Sequence, residues 1–273
     1  MTKKNHTLKT VLLYIVLALI AVIAIFPLFY IVMASFRTNI EIFDYALPFT
    51  WKTLIPQEWT FDNYVAIFEE FHFGLAIRNT LIVVAVLVPL SLCISALGGF
   101  VFAFFDFKGK NILFALCLIS FMVPIDAIVL PLYNLISRLG LVNSYASLIL
   151  PSAASGLAMF LFTQFFKEIP KSLLEAARID GANWLQVFAK VVLPLSIPVT
   201  ITAGLMVFVN EWNNFFWPLL VARTEEFRTI QVALSYFQDE NPVYFSYIFA
   251  GSAICAIVPV LLFLPLQKYF VQG

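Results

Sequence analysis

The sequence predicts an all-α fold: a polytopic bundle of six membrane-spanning helices. Three observations predict it. Of 273 residues, 62% are hydrophobic and only 12% charged, half the roughly 25% charged residues of a soluble domain. Mean hydropathy is +0.95. Six runs of 24 to 30 residues carry at most one charge each, and about 20 apolar residues suffice to cross a bilayer as a helix. The alternating pattern of a membrane β-barrel is absent. Backbone groups left unpaired in hydrocarbon are intolerable, so runs this apolar are helical. The composition excludes a disordered chain, a disulfide scaffold and a nucleic-acid binder. The chain reads as one domain over residues 1–273.

The first run, Val11–Ser35, is uncharged and follows Lys3, Lys4 and Lys9. It exceeds the 7–15-residue apolar core of a signal peptide and no A-x-A site follows, so it reads as a retained helix. Asn79–Phe105 is uncharged. Ile112–Ser137 carries Asp126 alone. Asn143–Phe166 is uncharged, Leu193–Ala222 carries Glu211 alone, and Tyr244–Gln267 is uncharged. Prolines fall within the runs, among them Pro27, Pro89, Pro124, Pro131, Pro151 and Pro198, and read as kinks buried against neighbouring helices.

Six crossings put both termini on one side. With the N-terminus cytoplasmic, ten Lys and Arg fall inside and six outside, in line with the positive-inside rule. Ten acidic residues fall outside, on the loops Arg37–Arg78 and Arg223–Tyr244, four fall inside, and two lie within runs. Cys93, Cys117 and Cys255 stand in apolar runs without CxxC spacing and read as packing residues. His6 and His72 stand apart, so no metal site is built from them.

The longest cytoplasmic loop spans residues 167–194. Ile169-Pro170 favours a turn at its entry. Ser172 is placed as an N-cap with Glu175 as its capping-box partner. Gly181 can end that helix as a left-handed residue. Ala182, Trp184, Leu185, Phe188 and Val192 begin a second short apolar face. An amphipathic helix lying on lipid is the plain reading of such a loop. The order Glu175-Ala176-Ala177, Gly181, Leu193-Pro194 is more specific. It resembles the EAA loop of ABC-importer permeases, EAA-x3-G-x9-I-x-LP, with Val191 where the pattern has Ile.

The resemblance runs on from about Pro48, and the chain is similar to the MalG-type permeases of the carbohydrate-uptake branch. Trp59-Thr60-Phe61-Asp62-Asn63-Tyr64 resembles the segment before their second helix. Met122-Val123-Pro124, Pro131-Leu132-Tyr133 and Gly140-Leu141-Val142-Asn143-Ser144 are similar around the third. Glu211-Trp212-Asn213-Asn214-Phe215 and Trp217-Pro218-Leu219 are similar in the fifth.

The resemblance implies a type I ABC importer permease in a bacterial cytoplasmic (inner) membrane, moving a sugar or oligosaccharide inward. A polyol or glycerol phosphate is the alternative cargo. It implies three partners besides lipid: a second, homologous permease, an ATPase homodimer, and an extracellular solute-binding protein. ATP and Mg would be bound by the ATPase, with no cofactor or metal in this chain. Glu175, Ala176, Ala177, Asp180, Gly181, Leu193 and Pro194 would couple to the ATPase. Tyr236 and Phe237, on the last outer loop, would contact the binding protein.

The absences agree. There is no GxxxxGK[ST] loop, Gly-rich nucleotide fingerprint, HExxH or GxSxG in the sequence. A secondary transporter would call for paired inverted repeats, and none is seen. A carboxylate at mid-bilayer costs about 2.5–3.5 kcal/mol on insertion scales and normally faces a cavity or a partner. Asp126, Asn210, Glu211, Trp212, Asn213 and Asn214 are therefore candidates for a polar substrate pathway. Glu211 fits equally a site near the outer interface, with Trp212 and Trp217 in an aromatic belt. Asp126 also fits a residue that caps the kink at Pro124.

Overall fold

The structure, a computed structural model, describes residues 3–238 and 243–269, and among these it contains helices and no strand. Asp239 and Glu240, expected in the acidic outer loop, lie outside the described residues. The chain divides into two compact units, Met1–Phe73 with Ala233–Val258, and Gly74–Val232 with Pro259–Gly273.

In the first unit, α1 (Lys3–Ser35) opens on a polar, basic stretch and carries no charge from Val11 to Ser35. Its side chains from Val11 to Phe29 are largely exposed, a surface that only hydrocarbon or another protein could cover. Three short helices follow: α2 (Asn39–Asp44), α3 (Trp51–Leu54) and α4 (Asp62–Glu69). Arg37, expected as an outer-loop charge, is instead buried. Its Nε lies 3.3 Å from Oε1 of Glu41, also buried. Its guanidinium donates to the carbonyls of Lys52, Thr53 and Ile55. Pairing with a carboxylate and three carbonyls offsets the desolvation of the charge.

The second unit holds α5 (Phe73–Phe104), α6 (Lys110–Met122), α7 (Ile125–Arg138), α8 (Tyr145–Ile149), α9 (Gly156–Glu168) and α10 (Lys171–Ile179). It continues through α11 (Trp184–Val187), a π-helical turn (Phe188–Val192), α12 (Leu193–Leu195), α13 (Ile197–Trp212) and α14 (Phe216–Val221). The final helices of the chain, α15 (Ile230–Tyr236) and α16 (Phe245–Leu266), are each divided between the two units. Close approach fixes the packing of α9. A Cβ on Gly99 would lie 2.7 Å from Cβ of Phe162, and one on Gly156 would lie 2.9 Å from the Cys117 carbonyl. Small residues at such crossings let membrane helices pack backbone to backbone.

Only three of the six expected runs are unbroken: α1, α5 and α16. The third expected run is two helices, α6 and α7, meeting at 95°. Pro124 lacks an N–H and forces Val123 into an extended conformation, φ −70 and ψ 118. The fourth run is α8, a non-helical stretch over 151–155, and α9. At 1.5 Å per residue, the 13 residues of α9 reach about 20 Å, short of the roughly 30 Å hydrocarbon core. The fifth run, Leu193–Ala222, is interrupted over 213–215, between α13 and α14, and where the loop enters it the chain bends by 82° between Trp184–Leu195 and Ile197–Trp212. Pro194 and Pro198 each remove a donor there, and Oγ of Ser196 donates to the Val192 carbonyl at 2.5 Å. In the third run the kink expected at Pro124 is a full break between two helices.

Candidate functional site

The loop after α9 begins at Pro170, whose ring sets φ at −58 and starts α10 at Lys171. Ser172 therefore sits inside the helix, and the expected Ser172–Glu175 cap does not form. The far end follows expectation. Gly181 has φ +85, its N–H donates to the Arg178 carbonyl at 3.1 Å, and the Ala182 N–H donates to the Ala177 carbonyl at 3.0 Å. This pair of bonds is the Schellman closure, which needs a left-handed residue at its apex. Asn183 and Gln186 then form a reciprocal capping box at 2.8 and 2.9 Å, starting α11.

The loop is bolted to the bundle on one side and open on the other. Leu174, Val187, Phe188 and Val192 are buried in one cluster with Phe100, Phe162 and Phe166. Ala177 and Leu193 pack against that cluster. Glu175, Ala176, Asp180, Gly181 and Pro194 are exposed, as are Ile179 at 85% and Leu185 at 69%. A groove of about 570 Å³ runs beside α10, lined by Lys171, Glu175, Arg178 and Ile179 with Phe104 and Trp184. The loop offers a rigid face of mixed acidic, basic and apolar character.

The second site lies where the irregular 151–155 backbone faces α13. One cavity of about 480 Å³ is lined by Ser120, Phe121, Ser152, Ser155, Asn210 and Glu211, among others. A second, of about 690 Å³, shares Ile125, Ser152 and Asn210 with it and adds Asn213, Asn214, Phe215, Phe216 and Trp217. Non-helical backbone at membrane depth is tolerated where it lines a cavity or is buried in protein. The Ser155 carbonyl accepts from Oγ of Ser95 at 3.2 Å, and the Ser155 hydroxyl caps Ala158 N–H.

Glu211 is 4% exposed. The Asn214 amide donates to its two oxygens at 3.4 and 3.3 Å. No Lys or Arg lines either cavity. Asn210 and Asn213 are exposed to the cleft, and Asn213 donates to the Val209 carbonyl.

Two expected pathway residues fall elsewhere. Trp212 is buried, stacks on Phe208 at 5.6 Å and lines neither cavity. Asp126 is exposed in the first turn of α7 and also lines neither, although Ile125 beside it lines both. The aromatic belt is not formed either. Trp217 is buried, and its Nε1 donates to the Ser147 carbonyl at 2.8 Å. Phe215 and Trp217 stand in the segments similar to the family's fifth helix, but nothing in the sequence singles out Ser120, Ser152 and Ser155 as cleft residues. The nearest signal for the serines is Pro151 interrupting an apolar run.

The last outer loop is partly buried. Phe237, expected to be exposed, is 1% exposed. It packs at 5.1 Å on Phe71 and 5.5 Å on Phe73. A Cβ added to Gly251 would lie 3.0 Å from its ring. Tyr236 is 37% exposed. Ahead of it, the Asn79 amide donates to the carbonyls of Glu226 and Arg228, and the Asn143 carboxamide oxygen accepts from the N–H groups of Arg223 and Thr224. These bonds hold the segment before α15 in place.

A helical membrane bundle with a charged, Gly-closed surface loop and a polar cleft walled by broken helices defines a membrane transport subunit. The fold is similar to that of a bacterial ABC transporter involved in the import of the acidic polysaccharide alginate, with TM-score 0.84, 22% identity, and 99% of each chain covered. The sequence is 37% identical to the arabinooligosaccharides transport system permease protein AraQ of Halalkalibacterium halodurans, covering 100% of this chain and 97% of that one. It is 30% identical to the trehalose/maltose transport system permease protein MalG of Thermococcus litoralis, over 99% and 96%. Residues 95–273 match the family of binding-protein-dependent transport system inner membrane components. The chain belongs to that family: it is a multi-pass inner-membrane permease subunit of an ABC importer.

Proposed function

We propose that the chain, as a single permease domain, carries a sugar or oligosaccharide into the cytoplasm through the cleft between α13 and residues 151–155. The observation that carries this reading is the lining of the cleft. Asn210, Glu211, Asn213 and Asn214 supply hydrogen-bonding groups, Phe215, Phe216 and Trp217 supply ring faces, and no cationic side chain is present. Amides and carboxylates pair with hydroxyls, and ring faces cover the apolar side of a sugar. The missing cation disfavours a phosphorylated or carboxylated cargo.

The chain does not hydrolyse ATP. A separate ATPase dimer, which binds ATP and Mg, docks on the face carrying Glu175, Ala176, Asp180 and Gly181, with Ala177, Leu193 and Pro194 holding that face to the bundle. Both termini are cytoplasmic. A second, homologous permease closes the open side of the cleft, and an external binding protein delivers cargo, with Tyr236 in its contact surface. ATP-driven closure of the ATPase dimer moves the loop, and alternating access follows as a rigid-body switch. The two carbohydrate permeases reported above support the cargo class.

The test is reconstitution in proteoliposomes. The chain with its partner permease, ATPase and loaded binding protein should accumulate sugar and hydrolyse ATP on addition of the loaded binding protein, and the chain alone should do neither. Transport by the chain alone would overturn the assignment.

A further inference from the structure

We propose that residues 39–61 form an interfacial anchor. They lie flat on the bilayer surface at the C-terminal end of α1, with Phe43, Leu47, Phe49, Trp51, Trp59 and Phe61 resting in lipid at the headgroup–acyl boundary.

Depth comes first. The uncharged run 11–35 extends about 37 Å as a helix, against roughly 30 Å of hydrocarbon. Its side chains are largely exposed from Val11 to Phe29 and half-buried or buried from Tyr30 to Ser35, so lipid is the surrounding that suits its exposed length. Ser35 then falls at the membrane surface. The 39–61 segment is tied to that level by several bonds. The Thr60 N–H donates to the Phe36 carbonyl at 2.9 Å. The Asn63 amide donates to the carbonyls of Ser35 and Arg37, each at 2.8 Å. The hydroxyls of Ser35 and Tyr64 are 2.7 Å apart. Phe36 packs on Trp59 at 5.4 Å and Phe61 at 5.3 Å. The buried Arg37 guanidinium closes the far side on the Thr53 carbonyl at 2.9 Å. A segment held so firmly to the last turn of a spanning helix cannot rise far into water.

Composition comes second. Leu47 is 83% exposed, and Phe49, Trp51 and Phe61 are each more than 60% exposed. Trp and Tyr concentrate at membrane interfaces because one end of the ring system is apolar and the other wet. The charge that would be costly there is hidden, since Glu41 is paired inside with Arg37 and accepts the Gln57 N–H at 2.7 Å. Lys52 lies 5.3 Å from the Tyr45 ring, and long basic side chains reach from the interface to water. The exposed charges left on the segment, Asp44 and Glu58, are acidic, so aromatic burial rather than attraction to anionic lipid drives the contact. Lipid is favoured over a protein partner because the patch is tied by those bonds to the end of α1, the helix whose apolar side chains are exposed from Val11 to Phe29. The inference rests on the membrane insertion of α1, and neither on the cargo nor on the ATPase.

The test uses the assembled importer in phosphatidylethanolamine–phosphatidylglycerol vesicles. With Cys93, Cys117 and Cys255 replaced by Ser, a nitroxide is placed at Leu47→Cys, Phe49→Cys or Glu58→Cys. We expect an oxygen-to-nickel accessibility ratio several-fold higher at positions 47 and 49 than at 58, unchanged by loaded binding protein. Ratios at 47 and 49 as low as at 58, or low accessibility to both probes, would overturn the proposal, the latter pointing to a protein cover. A second readout needs no label. Lipid brominated near the headgroup should quench the parent's tryptophan fluorescence more than that of the Trp51→Phe, Trp59→Phe double variant. Equal quenching would likewise refute the anchor. Both readouts are independent of transport, so they stand or fall apart from the proposed cargo and coupling.

Discussion

The guanidinium of Arg178 lies 5.0 Å over the ring of Trp184, and the two side chains meet across the left-handed turn at Gly181. Arg178 also donates to the Ala182 carbonyl at 2.6 Å. The turn is therefore clamped from both sides, by backbone bonds within and by a cation–π contact above, which adds about 0.5–1 kcal/mol at an exposed site.

Gly181 sets the first prediction. Nothing lies within 4 Å of a Cβ added there, so a replacement meets no clash and is opposed by its positive φ alone. Valine at φ +85 should cost about 1–3 kcal/mol locally, while asparagine tolerates the left-handed region. Gly181→Val should abolish uptake and Gly181→Asn should retain most of it, with both chains inserted at parental levels by membrane fractionation. Equal activity of the two would show that the turn geometry is not needed for coupling.

Glu175 tests charge on the same face. Its carboxylate is exposed beside Lys171 and Arg178. Reversal by Glu175→Lys should leave stability within about 0.5 kcal/mol, as for a surface substitution. It should reduce copurification of the ATPase and eliminate uptake. Full copurification with full uptake would remove Glu175 from the docking face.

Within the cleft, Asn210→Ala and Glu211→Gln should lower sugar uptake severalfold without changing the melting temperature of the detergent-solubilised complex. Trp212→Ala should behave oppositely. Removing a buried ring costs about 3–5 kcal/mol, so thermal unfolding should shift downward strongly before any cargo is added. A parental melting curve for Trp212→Ala would contradict its burial.

Tyr236 and Phe237 are adjacent and should separate cleanly. Phe237→Ala removes a core ring and should destabilise by about 3–5 kcal/mol. Tyr236→Ala should leave stability and basal ATP hydrolysis unchanged and weaken stimulation by loaded binding protein. Parental stimulation across a titration would leave Tyr236 outside the contact surface.

Much of this was legible because a few residues state their own physics. Gly181 between two apolar faces announced a helix-ending turn. The uncharged runs announced α1, α5 and α16. Other features depend on partners distant in sequence. Arg37 looks like a loop charge until Glu41 and the carbonyls of 52–55 surround it. Phe237 looks exposed in a polar loop until Phe71 and Phe73 cover it. Trp212 and Trp217 have the composition of a membrane belt, yet both point into protein. The breaks at Pro124 and Ser196 were marked by prolines, but the size of a bend is set by packing, which proline positions do not encode.

The 82° bend at Ser196 makes the loop and α13 the two arms of a bell crank. One arm carries the Gly181 turn; the other, 16 residues long, reaches about 24 Å and bears Glu211 near its tip. On the docking proposed above, a shove against the first arm would become a sweep of the second. Ten degrees of pivot would carry the tip by about 4 Å over that length, more than the width of a water molecule. Pro194 and Pro198, flanking the fulcrum, each take one backbone donor out of the ladder that would resist such a swing.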